Sequence, residues 1–241
     1  MAKAKERSRA MDVIALIAGV SVLTGPLLAW LRAVPALVGF YMFMLGGLVA
    51  IVAALSGLIS AARGRGFGLG RTVALLAAMV FVFTAFRAGN RSMINDYTTN
   101  LGDPPAFRHA TQLPGNEGRD LAYPKAFAET QRDCCADLQP LKVAVPQAET
   151  LQRAERVAAQ MPHWTVTEVD RDNGTVEAVA ESVVFGFKDD VVIRVRPDGA
   201  ATIVDVRSKS RDGKGDMGVN AARIRAYIAA LAQAAAPGAK N

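Results

Sequence analysis

Residues 164–184, WTVTEVDRDNGTVEAVAESVV, decide the fold of the C-terminal half of this chain. Apolar and polar residues alternate over Trp164–Asp170 and again over Thr175–Val184, which is the period of a strand with one buried face. Between the two runs, Asp172-Asn173-Gly174 supplies residues that favour a tight turn. The stretch therefore predicts a β-hairpin.

A second hairpin is predicted directly after the first, with strands Val191–Arg196 and Ala201–Ser208 on either side of Pro197-Asp198-Gly199. Because side chains alternate between the two faces of a sheet, the four strands can be sorted into faces. One face is charged: Glu177, Glu181, Arg194, Arg196, Asp205, Arg207 and Lys209. The other is mostly apolar: Val176, Val184, Val191, Ile193, Val195, Val204 and Val206. We expect an antiparallel sheet with a solvent-exposed charged face and an apolar face covered by helices.

Two helices are predicted to provide that cover. Pro146–Met161 places apolar residues at helical spacing before Pro162, and Val219–Ala235 does the same with Ile224, Ile228 and Leu231. The predicted fold of residues 134–236 is therefore an α+β domain of order αββββα around a four-stranded antiparallel sheet.

The N-terminal part has a different character, and it explains why 51% of the 241 residues are hydrophobic. Met11–Leu31 and Leu37–Ala61 are long enough to cross a membrane as helices. Thr72–Phe86 is a shorter third span that we expect to include Leu69 and Gly70. A cleaved signal peptide is the alternative for the first segment, but its apolar run is too long. We predict a three-helix transmembrane anchor at 1–87.

The basic residues of the anchor predict its orientation. Four precede the first span (Lys3, Lys5, Arg7, Arg9) and three lie near the second loop (Arg63, Arg65, Arg71), whereas the first loop has only Arg32. Positively charged loops remain in the cytoplasm. We expect a cytoplasmic N-terminus in a cell inner membrane, and a C-terminal domain that is periplasmic or extracellular.

The same distribution argues against nucleic-acid binding. The net charge is +6, but residues 1–91 hold ten lysines and arginines against two acids, while the remainder holds eighteen against twenty. The excess positive charge thus belongs to the membrane anchor. The glycine-rich GRGFGLG at 64–70 joins two membrane helices, so it is not expected to bind phosphate.

Residues 88–133 predict an extended connector, because Pro, Gly, Asn and Asp recur at the density of turns. It ends at Cys134-Cys135, the only cysteines. Neighbouring Cα atoms lie about 3.8 Å apart, below the usual disulfide range, so a bond between them would be strained. An intersubunit bond, buried thiols and plain packing remain alternatives. His109 and His163 belong to no ligand cluster, and we expect no metal and no cofactor.

The strongest candidate site lies where the last strand leads through a glycine loop into the last helix, RSKSRDGKGDMGVNAARIR at 207–225. Arginines and helix N-terminal amides there favour an anion. An ordinary helix start capped by Asp216 is the alternative. The candidate ligand-binding residues are Arg207, Ser210, Arg211, Asp216, Asn220 and Arg223.

Three segments resemble the domain-of-unknown-function 1499 family: TTNLGDPPAF at 98–107, FGFKDDVVIRV at 185–195 and VRSKSRDGKGDMGVNAARIR at 206–225. The resemblance covers roughly 93–232. Membrane-anchored bacterial members likewise place this domain after a few N-terminal spans. The family implies no activity, and its usual Ala-Tyr-Pro-Asp-Ile differs from Cys-Cys-Ala-Asp-Leu here, so it implies no role for the cysteines.

Three functions follow as hypotheses. The first is a non-enzymatic module that binds an anionic ligand or an envelope protein at 207–225. The second is a hydrolase-like enzyme that uses Asp216 with Glu181 or Asp205 as acid and base. The third is a structural subunit of a membrane assembly, in which the protein forms a homo-oligomer.

Overall fold

A computed structural model describes residues 2–64, 66–88 and 93–236. The chain forms two compact units. One comprises 1–89 together with 183–186, and the other comprises 90–182 together with 187–241.

The first unit contains three helices, α1 (Ala2–Trp30), α2 (Ala36–Ala62) and α3 (Leu69–Ala88). Each includes a segment long and apolar enough to cross a membrane: Arg9–Trp30, Ala36–Ala62 and Leu69–Phe86. The three predicted spans are thus helices in the structure, and the third begins at Leu69 as expected.

Small residues allow these helices to pack closely. The buried residues of α2 are all glycine or alanine: Gly39, Gly46, Gly47, Ala50, Ala53, Ala54 and Gly57. At the start of α3, the backbone N–H groups of Gly70 and Arg71 donate to the carboxylate of Asp12, each at 3.3 Å. A Cβ on Gly70 would clash with the carbonyl oxygen of Asp12. The α1–α3 contact therefore requires glycine at position 70.

The second unit is built around a six-stranded antiparallel sheet. Its strands are β1 (Asp96–Thr98), β2 (Leu141–Val143), β3 (Trp164–Asp170), β4 (Thr175–Glu181), β5 (Lys188–Asp198) and β6 (Ala201–Ser210). The order is β1-β6-β5-β4-β3, and β2 pairs with the same edge of β6 further along. Its helices are α4 (Phe127–Cys135), α5 (Gln147–Gln160) and α6 (Val219–Ala235), with a 3-10 turn at His109–Gln112.

One face of this sheet forms the main core with α5 and α6. Val176, Ile193, Val204 and Val206 are fully buried there against residues such as Leu231. This is the apolar face that the alternation predicts. Val184 is an exception: β4 ends at Glu181, and the side chain of Val184 is 44% exposed.

The other face is charged as predicted but is mostly covered. Part of the segment preceding α4 packs across it, and Phe107, Ala110 and Leu121 contact Val192. Five charged residues of this face are buried: Glu177, Asp190, Asp205, Arg207 and Lys209. The expectation of a wet face was wrong because the irregular segment provides a second cover. The α+β class is confirmed, with two short strands in addition to the four predicted.

Candidate functional site

Arg207 lies in β6 on the covered charged face, and its side chain is almost completely buried. Its Nε and Nη2 donate to the two carboxylate oxygens of Asp96 at 2.9 and 2.8 Å. Nη1 donates to the carbonyl of Pro105 at 3.0 Å, and Nη2 also donates to the carbonyl of Leu121 at 2.7 Å. The guanidinium thus joins β1, β6 and the covering segment.

A second cation shares the same carboxylate. Lys209 Nζ lies 3.0 Å from Asp96 Oδ2, and both residues are buried. A buried charge is costly unless it is paired, and here two cations share one anion. The cluster of Asp96, Arg207 and Lys209 therefore carries a formal charge of one positive unit inside the domain.

Two aromatic rings flank the guanidinium of Arg207. Its Cζ lies 4.7 Å from the ring centre of Phe107 and 5.5 Å from that of Tyr123. The face of an aromatic ring attracts a cation. Burial, and then the negative charge of Asp96, raise the pKa of the Tyr123 hydroxyl above its usual value. Tyr123 consequently remains a proton donor, and it donates to Gln131 Oε1 at 3.2 Å.

Arg207 also lines a cleft of about 830 Å³ in the C-terminal unit. Its apolar wall includes Phe107, Leu121 and the ring of Tyr123. Its charged lining side chains are Lys125, Glu129, Arg132 and Arg207. Three cations and one carboxylate thus face a space of the size of a small-molecule site.

Arg211 follows β6 and makes a different contact on the same face. Its Nε and Nη2 donate to the Asp190 carboxylate at 2.6–3.1 Å, and its Nη1 donates to the carbonyl of Pro114 at 2.8 Å. Asn116 Nδ2 reaches Asp190 at 2.8 Å, and Arg119 donates to the carbonyls of Ser210 and Arg211. These bonds fasten residues 114–119 to the sheet.

Asn220 and Arg223 lie on the opposite face, at the start of α6. Asn220 Nδ2 donates to Ser210 Oγ at 2.8 Å, and Ser208 Oγ donates to Asn220 Oδ1 at 2.5 Å. Arg223 donates to Ser208 Oγ at 3.1 Å and to Asp189 at 2.6 Å. Both residues reach back to the strand end, as expected from their helical positions.

Asp216 caps the start of α6. Its two carboxylate oxygens accept the backbone N–H groups of Gly218 at 2.7 Å and Asn220 at 2.6 Å. Burial raises the pKa of this carboxyl, and the same two N–H groups act against that shift. Asp205, one proposed catalytic partner, instead accepts from Arg194 at 2.7 Å and Arg196 at 2.8 Å. The observed contacts give no support to an Asp205–Asp216 acid–base pair.

The six candidate residues are therefore divided between the two faces of the sheet. Arg207 and Arg211 lie on one face of β6. Ser210, Asp216, Asn220 and Arg223 lie on the α6 side. Alternation along the strand already implies this division. Of the six, only Arg207 lines the cleft.

Several residues of the charged face were not recognised from the sequence. Asp96 was one, because nothing local marks it as the partner of a strand 111 positions away. Glu177 was placed on the charged face, yet its role was missed: its carboxylate accepts the backbone N–H groups of Arg108, His109 and Ala110 at 2.7–3.0 Å. Three N–H donors on one carboxylate anchor the 3-10 turn to the sheet.

The cysteines and histidines lie outside the 207–225 junction. The sulfurs of Cys134 and Cys135 are bonded to each other, with Cα atoms 3.8 Å apart. His109 Nδ1 lies 3.9 Å from Glu168, and His163 has a positive φ of 62°. Within residues 2–64, 66–88 and 93–236, no group of three or more potential ligands could hold a metal ion.

Three apolar helices followed by an antiparallel sheet with helices define a membrane-anchored α+β protein. The family model described as a protein of unknown function (DUF1499) matches residues 96–231, more than half of the chain. The protein therefore belongs to this family, as its motifs indicated. No curated protein matches the chain.

Proposed function

We propose that the protein is a membrane-anchored, non-enzymatic binding module whose cleft takes an anionic amphiphile. The cleft of about 830 Å³ carries this proposal, because it combines aromatic walls from Phe107 and Tyr123 with a cationic lining. Such a site suits a ligand with an apolar body and one anionic group, a carboxylate or a phosphate.

The charges favour an anion over a neutral ligand. Lys125 and Arg132 are exposed at the cleft, and Glu129 is its one lining carboxylate. At the buried wall, Arg207 belongs to a cluster whose two cations share Asp96. An anion near Arg207 would meet a net positive charge where the surrounding protein screens weakly. The exposed guanidinium of Arg132 can offer several donors to one oxyanion group.

The residues of the strand–loop–helix junction then have supporting roles in this proposal. Arg211 fastens residues 114–119, which adjoin the cleft-lining segment 121–123. Ser210, Asp216, Asn220 and Arg223 fix the end of β6, the strand that carries Arg207. Substitution of these four should alter ligand affinity through the position of β6.

The orientation in the membrane is part of the proposal. The basic residues around α1 and the α2–α3 loop favour a cytoplasmic N-terminus in a bacterial cell. The C-terminal domain then lies in the periplasm or outside the cell. The Cys134–Cys135 disulfide agrees with this side, since disulfides persist in oxidising compartments. A reporter fused after Ala235 that is active only outside the cytoplasm should be active; inactivity would refute this orientation.

Binding is tested with hexyl phosphate on the full-length protein in a neutral maltoside detergent, with hexanol as the uncharged probe. We expect calorimetric titration to detect hexyl phosphate and not hexanol. Arg132→Ala should weaken binding about fivefold, the effect of about 1 kcal/mol from one exposed charge. The matched control is Lys214→Ala, which removes an exposed lysine that does not line the cleft.

Two results would contradict the proposal. Equal binding of hexyl phosphate and hexanol would show that charge is not recognised. Equal losses in Arg132→Ala and Lys214→Ala would show that the phosphate responds to overall charge and not to the cleft.

A further inference from the structure

The disulfide between Cys134 and Cys135 has no evident stabilising purpose. A disulfide stabilises mainly by closing a loop in the unfolded chain, and its effect grows with the number of residues enclosed. These cysteines are adjacent in sequence, so the bond encloses only the peptide unit between them. The pair therefore adds almost no constraint to the unfolded chain, and its presence indicates a redox role and not a stabilising one.

The two sulfurs differ in accessibility. Cys135 is 8% exposed and belongs to the main core, where Leu138 and Tyr97 are also buried. Cys134 is exposed at the surface of the last turn of α4. An attacking thiolate in solvent can thus reach one sulfur and not the other, and exchange depends on such access.

The folded helix also accommodates the reduced form. The Cys134 sulfur lies 3.8 Å from the carbonyl oxygen of Gln131, so a thiol at this position has an acceptor within its own helix. Reduction therefore does not require α4 to unwind.

We propose that Cys134–Cys135 is a thiol–disulfide exchange site that accepts two electrons from a dithiol donor. A donor thiolate attacks Cys134 Sγ, the bond to Cys135 breaks, and the Cys135 sulfur leaves and takes up a proton. The second donor thiolate then attacks the donor sulfur of the mixed disulfide and releases Cys134, which is also protonated. The donor leaves as a disulfide, so two electrons and two protons are transferred to the protein.

Helix α4 connects this site to β1 and to the cleft. Gln131, one turn before the pair, donates to the carbonyl of Thr98 at 2.6 Å and accepts its N–H at 3.0 Å. Arg132 and Glu129, in the same helix, line the cleft. Exchange at Cys134 thus takes place at the end of a helix that holds β1 and carries cleft residues.

The resting state is tested by quenching cells in acid and labelling free thiols with a maleimide that retards the protein on a gel. We expect no label before reduction and two labels per chain after dithiothreitol, with an unchanged circular dichroism spectrum of the purified protein. Two labels before reduction would overturn the proposal. So would reduction by dithiothreitol that takes place only in a denaturant, since the exposed Cys134 sulfur is the predicted point of attack.

The predicted order of attack is tested with single-cysteine variants of the purified full-length protein. Cys135→Ser leaves the exposed sulfur, and Cys134→Ser leaves the buried one. With an aromatic disulfide reagent, Cys135→Ser should react at least about tenfold faster than Cys134→Ser, because reactivity follows exposure. Equal rates, or a faster Cys134→Ser protein, would refute attack at Cys134.

Discussion

Replacement of Asp96 by asparagine should strongly destabilise the C-terminal domain. Asp96 is fully buried and accepts three charge-assisted hydrogen bonds of 2.8–3.0 Å from Arg207 and Lys209. The neutral amide of the variant would leave two buried cations without an anion. Removing one partner of a buried ion pair costs about 3–5 kcal/mol, which corresponds to a fall in Tm of roughly 10–15 °C for a domain of this size.

The measurement is thermal unfolding of the full-length protein in detergent, followed by near-ultraviolet circular dichroism. The matched control is Asp198→Asn, whose carboxylate pairs with Lys142 at 2.6 Å with both side chains exposed. Water and salt screen such a surface pair, so the control should leave the Tm unchanged.

A second variant separates loss of charge from loss of shape. Adding Lys209→Met to Asp96→Asn removes one of the two uncompensated cations and should recover part of the lost Tm. The reasoning is refuted if Asp96→Asn unfolds at the same temperature as the Asp198→Asn control, or if the added Lys209→Met lowers the Tm further.

Three other predictions address the junction and the anchor. The pKa of Asp216 is raised in the folded state, so ionisation of this carboxyl weakens the fold as pH rises through and above the ordinary value of 3.8. The Tm advantage of the wild type over Asp216→Asn should therefore shrink between pH 3.5 and 7. An advantage that grows over this range would contradict the argument. Arg223→Ala leaves buried Asp189 without its cation and should lower the free energy of unfolding in denaturant by about 2–4 kcal/mol. Arg223→Lys keeps the charge and should lower it less, so equal losses would show that charge is unimportant. Gly70→Val should disrupt the contact with Asp12 and reduce the yield of folded protein from membranes. Gly66→Val is the control, because a side chain at Gly66 would enter open space and should leave the yield unchanged. Equal yields of the two variants would refute the packing argument.

The strands and helices of the C-terminal unit were predictable because periodicity is a local property. The alternation over 164–208 matches β3 to β6, and the turns contain Gly174 and Gly199 at positive φ as their residues favour. The strand ends were less predictable. Hydrogen bonding extends β5 and β6 beyond their alternating runs, while β4 stops before Val184.

The segment before α4 shows where local rules fail. Its turn-forming residues predict an irregular chain, which is observed over most of its length, but they do not specify the surface on which that chain packs. Phe107 and Leu121 bury against Val192, and this cover turns an apparently wet face into a dry one. No short-range sequence pattern predicts such a contact.

The candidate site was predictable to a similar extent. The motif from Arg207 to Arg223 forms hydrogen-bond networks on both faces of β6. Its division between two faces follows from strand parity, since neighbouring residues such as Arg207 and Ser208 must point in opposite directions. The cleft was not predictable, because its aromatic and cationic residues are brought together only by the path of the covering segment.

The position of β1 has a consequence for the order in which the domain assembles. Asp96–Thr98 is the first strand after the third membrane helix, and it pairs with Arg207–Lys209 in the last strand. The domain's earliest and latest strands are thus neighbours, and the loop between them must close before β1 is paired. During synthesis of the chain, β1 remains unpaired until β6 has been made. The buried cluster around Asp96 forms only then, because β6 supplies Arg207 and Lys209.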